Sequence, residues 1–241
     1  AYLGWRLPTL NELYRPFRVG PDATAANADL EPERLRGAEA GIEWRPLPQA
    51  GIGVTVFANR LDDPIANVTL GQGPATFPGV GFVAAGGEFR RRQNLEAIDS
   101  RGIEIDGSVA FGRFSLNAGY SFADAKVVAS GDAAPLDGLR PAQTPRHSAA
   151  ATLAWSPRDG AHASLSARYV GDQFEDDLNR QVLDEALTFD AALLWPLTRN
   201  LSLEARAENF TDERVEAAIS SDGTVERATP RTLWLGLRIR G

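Results

Sequence analysis

From Gly37 onward the chain keeps to one period. Apolar and polar residues alternate one for one, segment after segment. Ala38, Ala40, Ile42 and Trp44 stand against Glu39, Gly41 and Glu43. Phe114, Leu116, Ala118, Tyr120 and Phe122 stand against Ser115, Asn117, Gly119 and Ser121. The last such segment, Thr229 to Arg240, puts Leu233, Leu235, Leu237 and Ile239 on one parity and Thr232, Gly236, Arg238 and Arg240 on the other. Successive side chains of a strand point to opposite faces, so this pattern means strands with one apolar and one polar side. The chain is therefore read as all-β and antiparallel. What its apolar side meets, a protein core or lipid, decides everything else.

The spacing of the breaks bears on that choice. Residues 1–34 read as irregular, with a short helical turn after Pro8 capped by Thr9 or Asn11. A strand through Trp44 turns at Arg45 to Gln49, and the return strand runs to about Val68. Gly71 to Gly81 is glycine-rich and reads as a long loop. The next strand passes Leu95, Ile103, Ile105, Val109 and Phe111, turns at Gly112-Arg113, and returns through Phe122. After a loop over residues 128–142 come Ala149 to Trp155, a turn at Ser156 to Gly160, and Leu165 to Tyr169. The loop Glu175 to Gln181 precedes Leu187 to Leu193, a turn at Trp195 to Asn200, and Leu201 to Ala207. A loop around Ser220 to Gly223 leads to the closing strand. This makes about nine strands in up-and-down order, in which short turns alternate with long loops, as in outer-membrane barrels and unlike Greek-key sandwiches.

Two further patterns favour lipid. Trp44, Trp155 and Trp195 precede three of the tight turns, and Phe111 and Phe114 flank the fourth. Aromatics gathered at one end of many strands suit a membrane-interface girdle, although a soluble sheet can also end its strands on aromatics. The polar parity carries Glu104, Asp106, Arg168, Asp190, Glu204, Arg206, Glu208 and Arg238, whereas a small soluble barrel fills its interior with apolar side chains. Trp234, on the polar parity, is the misfit.

Composition narrows the classes. The 241 residues carry a net charge of −7, against a nucleic-acid partner, which calls for a basic face. No apolar run is long enough for a transmembrane helix, but barrel strands alternate and give only a weak hydropathy signal. Without cysteine there is neither a disulfide nor a thiolate metal site; without methionine the chain is read as a fragment of a longer protein.

Several stretches together resemble the C-terminal part of a TonB-dependent outer-membrane receptor. Trp5 to Tyr14 (W-R-L-P-T-L-N-E-L-Y) looks like the family's F-R-x-P-T-L-x-E-L-Y. Asn27 to Gly41 is similar to its N-x-x-L-x-P-E…E-x-G, with Leu30, Pro32, Glu33, Glu39 and Gly41 in place. Val54 to Ile65, Asn94 to Ile105, Ala207 to Arg214 and Pro230 to Arg238 follow further family stretches in the family order. The resemblance implies a barrel of roughly 22 strands around a plugged lumen, with residues 1–241 as its last nine or ten strands, short turns periplasmic and long loops extracellular. The plug, the TonB-contacting segment and the early strands would lie outside this stretch. It also implies an outer-membrane location, lipid around the wall, and TonB-energised import of a scarce nutrient such as an iron-siderophore or a cobalamin-like ligand. A passive pore and a soluble β-sandwich binding module are the alternatives. The family's barrels usually end on an aromatic residue, and this chain ends Arg240-Gly241.

Ligands of the family meet its extracellular loops and plug apex. The loop candidates here are Arg15, Arg18, Phe82, Arg90, Arg91, Arg92 and Phe174. Guanidinium groups pair well with carboxylate or phosphate, so Arg90 to Arg92 suit an anionic ligand, a lipopolysaccharide contact or plain solvation. Catalytic chemistry finds no foothold. His147 and His162 fall about 25 Å apart along their hairpin, and the adjacent His147 and Ser148 point to opposite faces. Asp172, Glu175, Asp176 and Asp177 fit no EF-hand spacing and read as a solvated loop. Gly71 to Gly81 lacks the lysine of a phosphate-binding loop. Neither an enzyme, a cofactor nor a metal site is expected.

Overall fold

A computed structural model describes residues 1–157, 160–220 and 223–239. In chain order it has β1 (Tyr2–Arg6), a helix α1 (Leu10–Tyr14), β2 (Phe17–Val19), β3 (Asp22–Ala25), and the long pair β4 (Glu33–Leu47) and β5 (Ala50–Asp62). Next come β6 (Ile65–Gln72), β7 (Ala75–Phe77), β8 (Gly81–Val83) and β9 (Glu88–Asn94). A second long pair, β10 (Ala97–Phe111) and β11 (Phe114–Val128), leads through a 3₁₀ segment at Gly131–Leu136 to β12 (His147–Trp155) and β13 (His162–Val170). The remainder is β14 (Gln173–Phe174), β15 (Val182–Leu183), β16 (Ala186–Pro196), β17 (Leu201–Glu208), β18 (Glu216–Ile219), β19 (Val225–Arg227) and β20 (Thr232–Ile239).

One sheet of ten strands dominates, in the order β1-β4-β5-β10-β11-β12-β13-β16-β17-β20. Every neighbour in it is antiparallel, and each wall strand lies beside the next wall strand in the chain. This is an open portion of an up-and-down transmembrane barrel wall. Its register keeps the apolar parity on one face throughout. Trp44 pairs with Ile52, Val54 with Ile105, Ile105 with Tyr120, Leu116 with Leu153, Leu153 with Leu165, and Leu203 with Leu237. That face is bare: Ile42 is 76% exposed and Leu235 78%. A protein in water would bury such a surface; a lipid-facing wall leaves it open. Along β10 the outward positions stay apolar from Phe111 to Ile103 and become charged at Arg101. These nine residues at the usual rise and tilt give a height of about 20–25 Å, close to the apolar band of an outer-membrane barrel.

The turns lie where the alternation put them. Gly112 takes φ +61°, as a two-residue hairpin with glycine at its first central position needs. The turn after Trp195 is held by Leu197 and Thr198 N–H donating to the Leu201 carbonyl at 2.8 and 2.9 Å. Trp155 and Trp195 stack with centroids 6.3 Å apart, and Phe111 and Phe114 at 5.5 Å, at the turn end of the sheet. Parts of the expected turn at Ser156 to Gly160 and loop at Ser220 to Gly223 lie outside the described residues, as do Arg240 and Gly241.

The loop end departs from expectation. Residues 1–34 are not irregular: they hold β1, the edge strand paired with β4, then α1, β2 and β3. The wall strand starts at Glu33 rather than Gly37, and β5 stops at Asp62 rather than continuing to Val68. After Pro64 the chain leaves the wall, and β6 joins a separate four-stranded sheet, β2-β3-β9-β6. Gly71 to Gly81 contains the end of β6 and most of the β7–β8 hairpin. Arginine-rich strands such as β9 do not alternate, so period two could not reveal them. The buried clusters lie here. Ala23, Ala25, Val83 and Phe89 form one, and Val68, Leu95, Val127, Ala129, Ala133 and Leu136 the other.

Candidate functional site

The loop layer is fixed to the wall by a short polar chain that begins in β1. Arg6 donates through Nε and, at 2.8 Å, through Nη2 to the two oxygens of Glu33, and through Nη1 to Glu12 at 3.1 Å. Glu33, 7% exposed, also accepts the Ile65 N–H at 2.8 Å. Thr9 and Glu12 form a reciprocal capping box that starts α1. Burial alone would raise the Glu12 carboxyl, but hydrogen bonds from Thr9 and Arg6 outweigh it and hold it below the ordinary range. Asn94 completes the joint: its amide donates to the carbonyls of Glu31 and Asp63 at 3.0 and 2.7 Å, and its oxygen accepts the Glu31 N–H. Thr9 as a cap was readable in the sequence; the link between Arg6, Glu12 and Glu33 joins residues far apart in the chain and was not.

Above this joint the structure brings some of the predicted site residues together. Arg90 bonds Glu88 at 2.7 Å and lies 3.6 Å from Asp22. Burial works against its charge, and these carboxylates more than compensate, so its pKa is raised. Arg92 donates to the carbonyls of Asn11 and Arg15 and sits 5.0 Å over the Phe17 ring. Arg91 donates to Asn27 at 3.0 Å. Arg18 donates to the carbonyls of Val80 and Phe82 at 2.5 and 2.8 Å, tying the β7–β8 hairpin down. The Phe82 ring itself stays 60% exposed, and Arg15 is exposed. Arg90 and Arg92 thus place their guanidinium groups inside the layer, while Arg15, Arg91 and Phe82 lie at its surface.

Phe174 stands apart, on β14, where it pairs with Val182 of β15. Arg140 lies 4.4 Å over its ring and bonds Asp172 at 2.7 Å, holding that carboxyl below the usual range. The two groups of candidates are linked by Arg180, which approaches Glu88 at 3.9 Å. Most carboxylates of the acidic loop are taken up by protein donors. Asp176 accepts the N–H groups of Arg180 and Gln181, and Glu175 accepts from Gln143. Asp177 is the exception: one buried oxygen has no hydrogen-bond partner, and burial pushes its pKa up. Among the described residues no group of three or more acidic or histidine side chains is arranged to hold a metal ion. The histidines lie at opposite ends of the β12–β13 hairpin, His147 on Tyr120 at 2.8 Å and His162 on Ser156 at 2.9 Å. No carboxylate orients either ring among the described residues.

The inward face of the wall is polar. On β4 and β10 it carries Glu39, Glu104 and Asp106 beside Gly41, Gly53 and Gly119. On β17 and β20, Glu204 bonds Arg238 at 2.8 Å. Trp234 pairs with Arg206 and lies 60% exposed on this same face, on the edge strand β20.

Comparisons with known proteins agree with this architecture. A family model described as TonB dependent receptor-like, beta-barrel, matches residues 3–210. The vitamin B12 transporter BtuB of Photobacterium profundum is 24% identical over 216 residues, covering 88% of this chain. The chain spans 31% of the length of that relative. Among solved structures, the copper transporter OprC aligns with a TM-score of 0.71 at 16% identity, over 98% of this chain and 36% of its own. The ferric yersiniabactin uptake receptor FyuA from Yersinia pestis gives 0.68 at 17%, over 98% and 33%. The siderophore receptor PiuA from Acinetobacter baumannii gives 0.68 at 16%, over 86% and 28%. At these identities the structural matches bear on the fold alone.

Proposed function

This chain belongs to the TonB-dependent receptor family, as part of its β-barrel, and we propose that it serves an importer that takes up a scarce nutrient with energy delivered through TonB. Members of the family are barrels of the bacterial outer membrane, and this chain is a stretch of such a wall. The observation that carries the reading is the continuous apolar outer face, about 20–25 Å high, backed by a charged inner face. In the proposed protein, residues 1–241 are the C-terminal part of the barrel. A plug domain in the lumen and earlier strands belong to the remainder, and the TonB contact is made from the N-terminal side. The nutrient is an iron-siderophore or cobalamin-like complex. In support, a B12 transporter and siderophore receptors are among the proteins this chain resembles. Arg15, Arg91 and Phe82 are the loop groups placed to meet such a ligand from outside, with Arg18, Arg90, Arg92 and Phe174 shaping the surface beneath them. The wall supplies a passage and a platform, and no step of covalent chemistry is assigned to it.

The test is uptake by the full-length protein in cells deprived of their own receptors. Labelled iron-siderophores and cobalamin are offered with the TonB complex active or deleted. Accumulation of one ligand that disappears with TonB is expected. Flux that persists without TonB would replace the importer by a passive pore.

A further inference from the structure

The outward face changes character at the loop ends of β4, β5, β10 and β11. Register places Arg36, Arg60, Asp99 and Lys126 in one row across the four strands. Beside that row are the Arg34–Asp62 pair and the Arg101–Asp124 pair. All of these lie on the parity of Ile42, Val54, Ile103 and Phe122, so they crown the apolar band. We propose that this face is a binding site for phosphorylated lipid headgroups of the loop-side leaflet.

The arrangement of charge supports a phosphate rather than self-neutralisation. Asp62 accepts from Arg36 at 2.9 Å, Arg60 at 3.0 Å and Arg34 at 3.3 Å, three guanidinium groups on one carboxylate. The Asp62 side chain is only 11% exposed, while those of Arg34, Arg36 and Arg60 are 45%, 53% and 41% exposed. The Asp62 carboxylate lies beneath these cations, whereas Asp99, 51% exposed, takes Arg60 Nη1 on both oxygens at 2.9 Å, which leaves Arg34, Arg36, Arg101 and Lys126 as the outward cations. Arg101, 80% exposed, comes no nearer than 3.8 Å to Asp124, which is also shared with Arg146 at 3.1 Å. Lys126 has no ion-pair partner among the described residues and is exposed. A cavity follows this face, lined by Leu3, Arg36, Ala58, Asp99, Arg101 and Lys126, among others. Directly below it Ala38 and Ala58 are small, leaving room for acyl chains against the wall.

Height fits the same occupant. The row begins where the apolar band ends, which is the level of lipid headgroups rather than of hydrocarbon, where arginine is costly. Guanidinium groups bind phosphate oxygens in a bidentate fork, and basic clusters at a membrane surface attract anionic lipids. The inference rests on the outward face being the lipid face, and not on which nutrient the protein carries.

The test uses the full-length protein purified from outer membranes in detergent, with diphosphorylated lipid A or its phosphate-free form added in mixed micelles. Bound lipid is counted by native mass spectrometry. Wild type is expected to retain the phosphorylated form. The variant R36Q/R101Q/K126Q should retain at least about 5-fold less, and R101Q/K126Q, which spares the Asp62 cluster, should lose an intermediate share. Heat-modifiable gel mobility identifies folded barrels, and only these are scored. Equal retention by wild type and both variants, or equal retention of the phosphate-free lipid, overturns the proposal. So does full displacement by millimolar inorganic phosphate, which would make the site one for free anions. Nutrient uptake by the same variants is expected to persist, so a failure of the transport reading is told apart from a failure of this one.

Discussion

The wall and the loop layer handle apolar side chains in opposite ways. In the wall, Ile42, Leu233, Leu235, Leu237 and Ile239 are among the most exposed large hydrophobic residues, and the inner face holds charges and glycines. In the loop layer, Val68, Val83 and Leu183 are the largest fully buried side chains. The wall's apolar partner is lipid, so its strands need only pair, alternate and tilt. The loop layer stands in water and has to enclose a core of its own, as any soluble domain does. The two obey different solvents, and that difference organises the molecule.

The strongest way to break the comparison is to hollow out the loop core. Phe89 is 7% exposed and stacks on Phe77 with centroids 4.4 Å apart. Phe89→Ala should cost the layer about 3–5 kcal/mol. The expected signs are faster hydrogen exchange and protease cleavage over residues 65–94, with heat-modifiable mobility of the barrel unchanged. A wall that melts together with the loops would show that the two are one cooperative unit. The complementary change lies in the wall. Leu235→Arg puts a charge on the lipid face, which costs about 2–4 kcal/mol near the midplane. It should reduce outer-membrane assembly of the full-length protein, while Arg238→Leu, on the inner face, should be milder. Equal assembly of the two variants would remove the lipid-facing assignment.

The same division explains what could be read from sequence. The alternation was sufficient to place Trp44, Trp155 and Trp195 at one end and to orient Leu235 and Ile239, because lipid accepts any apolar side chain and imposes only parity. It located the strands through Phe111, Phe114, Leu165 and Leu203 close to where they stand. The loop layer was opaque for a physical reason. Its strands, such as β9 with E-F-R-R-R-Q-N, are short and arginine-rich, and their partners are distant in sequence. Arg90 was visible as a cation in a loop with Glu88 two residues before it, but its approach to Asp22 depends on a parallel pairing of β3 with β9 that no local pattern announces. Arg91 and Phe82 lie at the surface, whereas Arg92 is engaged by backbone carbonyls.

Where the two regions meet, the expected effect is smaller but more diagnostic. Glu33 begins the wall strand β4, yet it accepts from Arg6 and from the N–H of Ile65 at the start of β6. Glu33→Ala leaves both donors without this acceptor, a cost of about 1–3 kcal/mol. Exchange should rise at Ile65 and in α1 together, because Arg6 also holds Glu12. If only Ile65 responds, the joint is a set of separate contacts rather than a connected brace.

The mildest prediction concerns Asp177, whose buried carboxyl oxygen lacks a hydrogen-bond partner and whose pKa is raised by burial. Arg90 pulls that pKa down, while Glu88 and Asp176 push it further up. A carboxyl with a raised folded-state pKa binds more protons folded than unfolded, so stability falls as pH rises. The window opens near the ordinary aspartate value of about 4 and closes at the raised folded value. Protection of residues 172–183 against hydrogen exchange, after correction for the intrinsic pH dependence of exchange, should therefore decline across that window. Asp177→Asn keeps the shape and removes the titration, so its profile should be flatter and its protection at neutral pH higher than that of wild type. The wall strand β20 should show no such pH dependence in either protein. A parallel decline in the Asn variant would place the pH sensitivity in the ion pairs among Arg90, Glu88 and Arg180 rather than in the unpartnered acid.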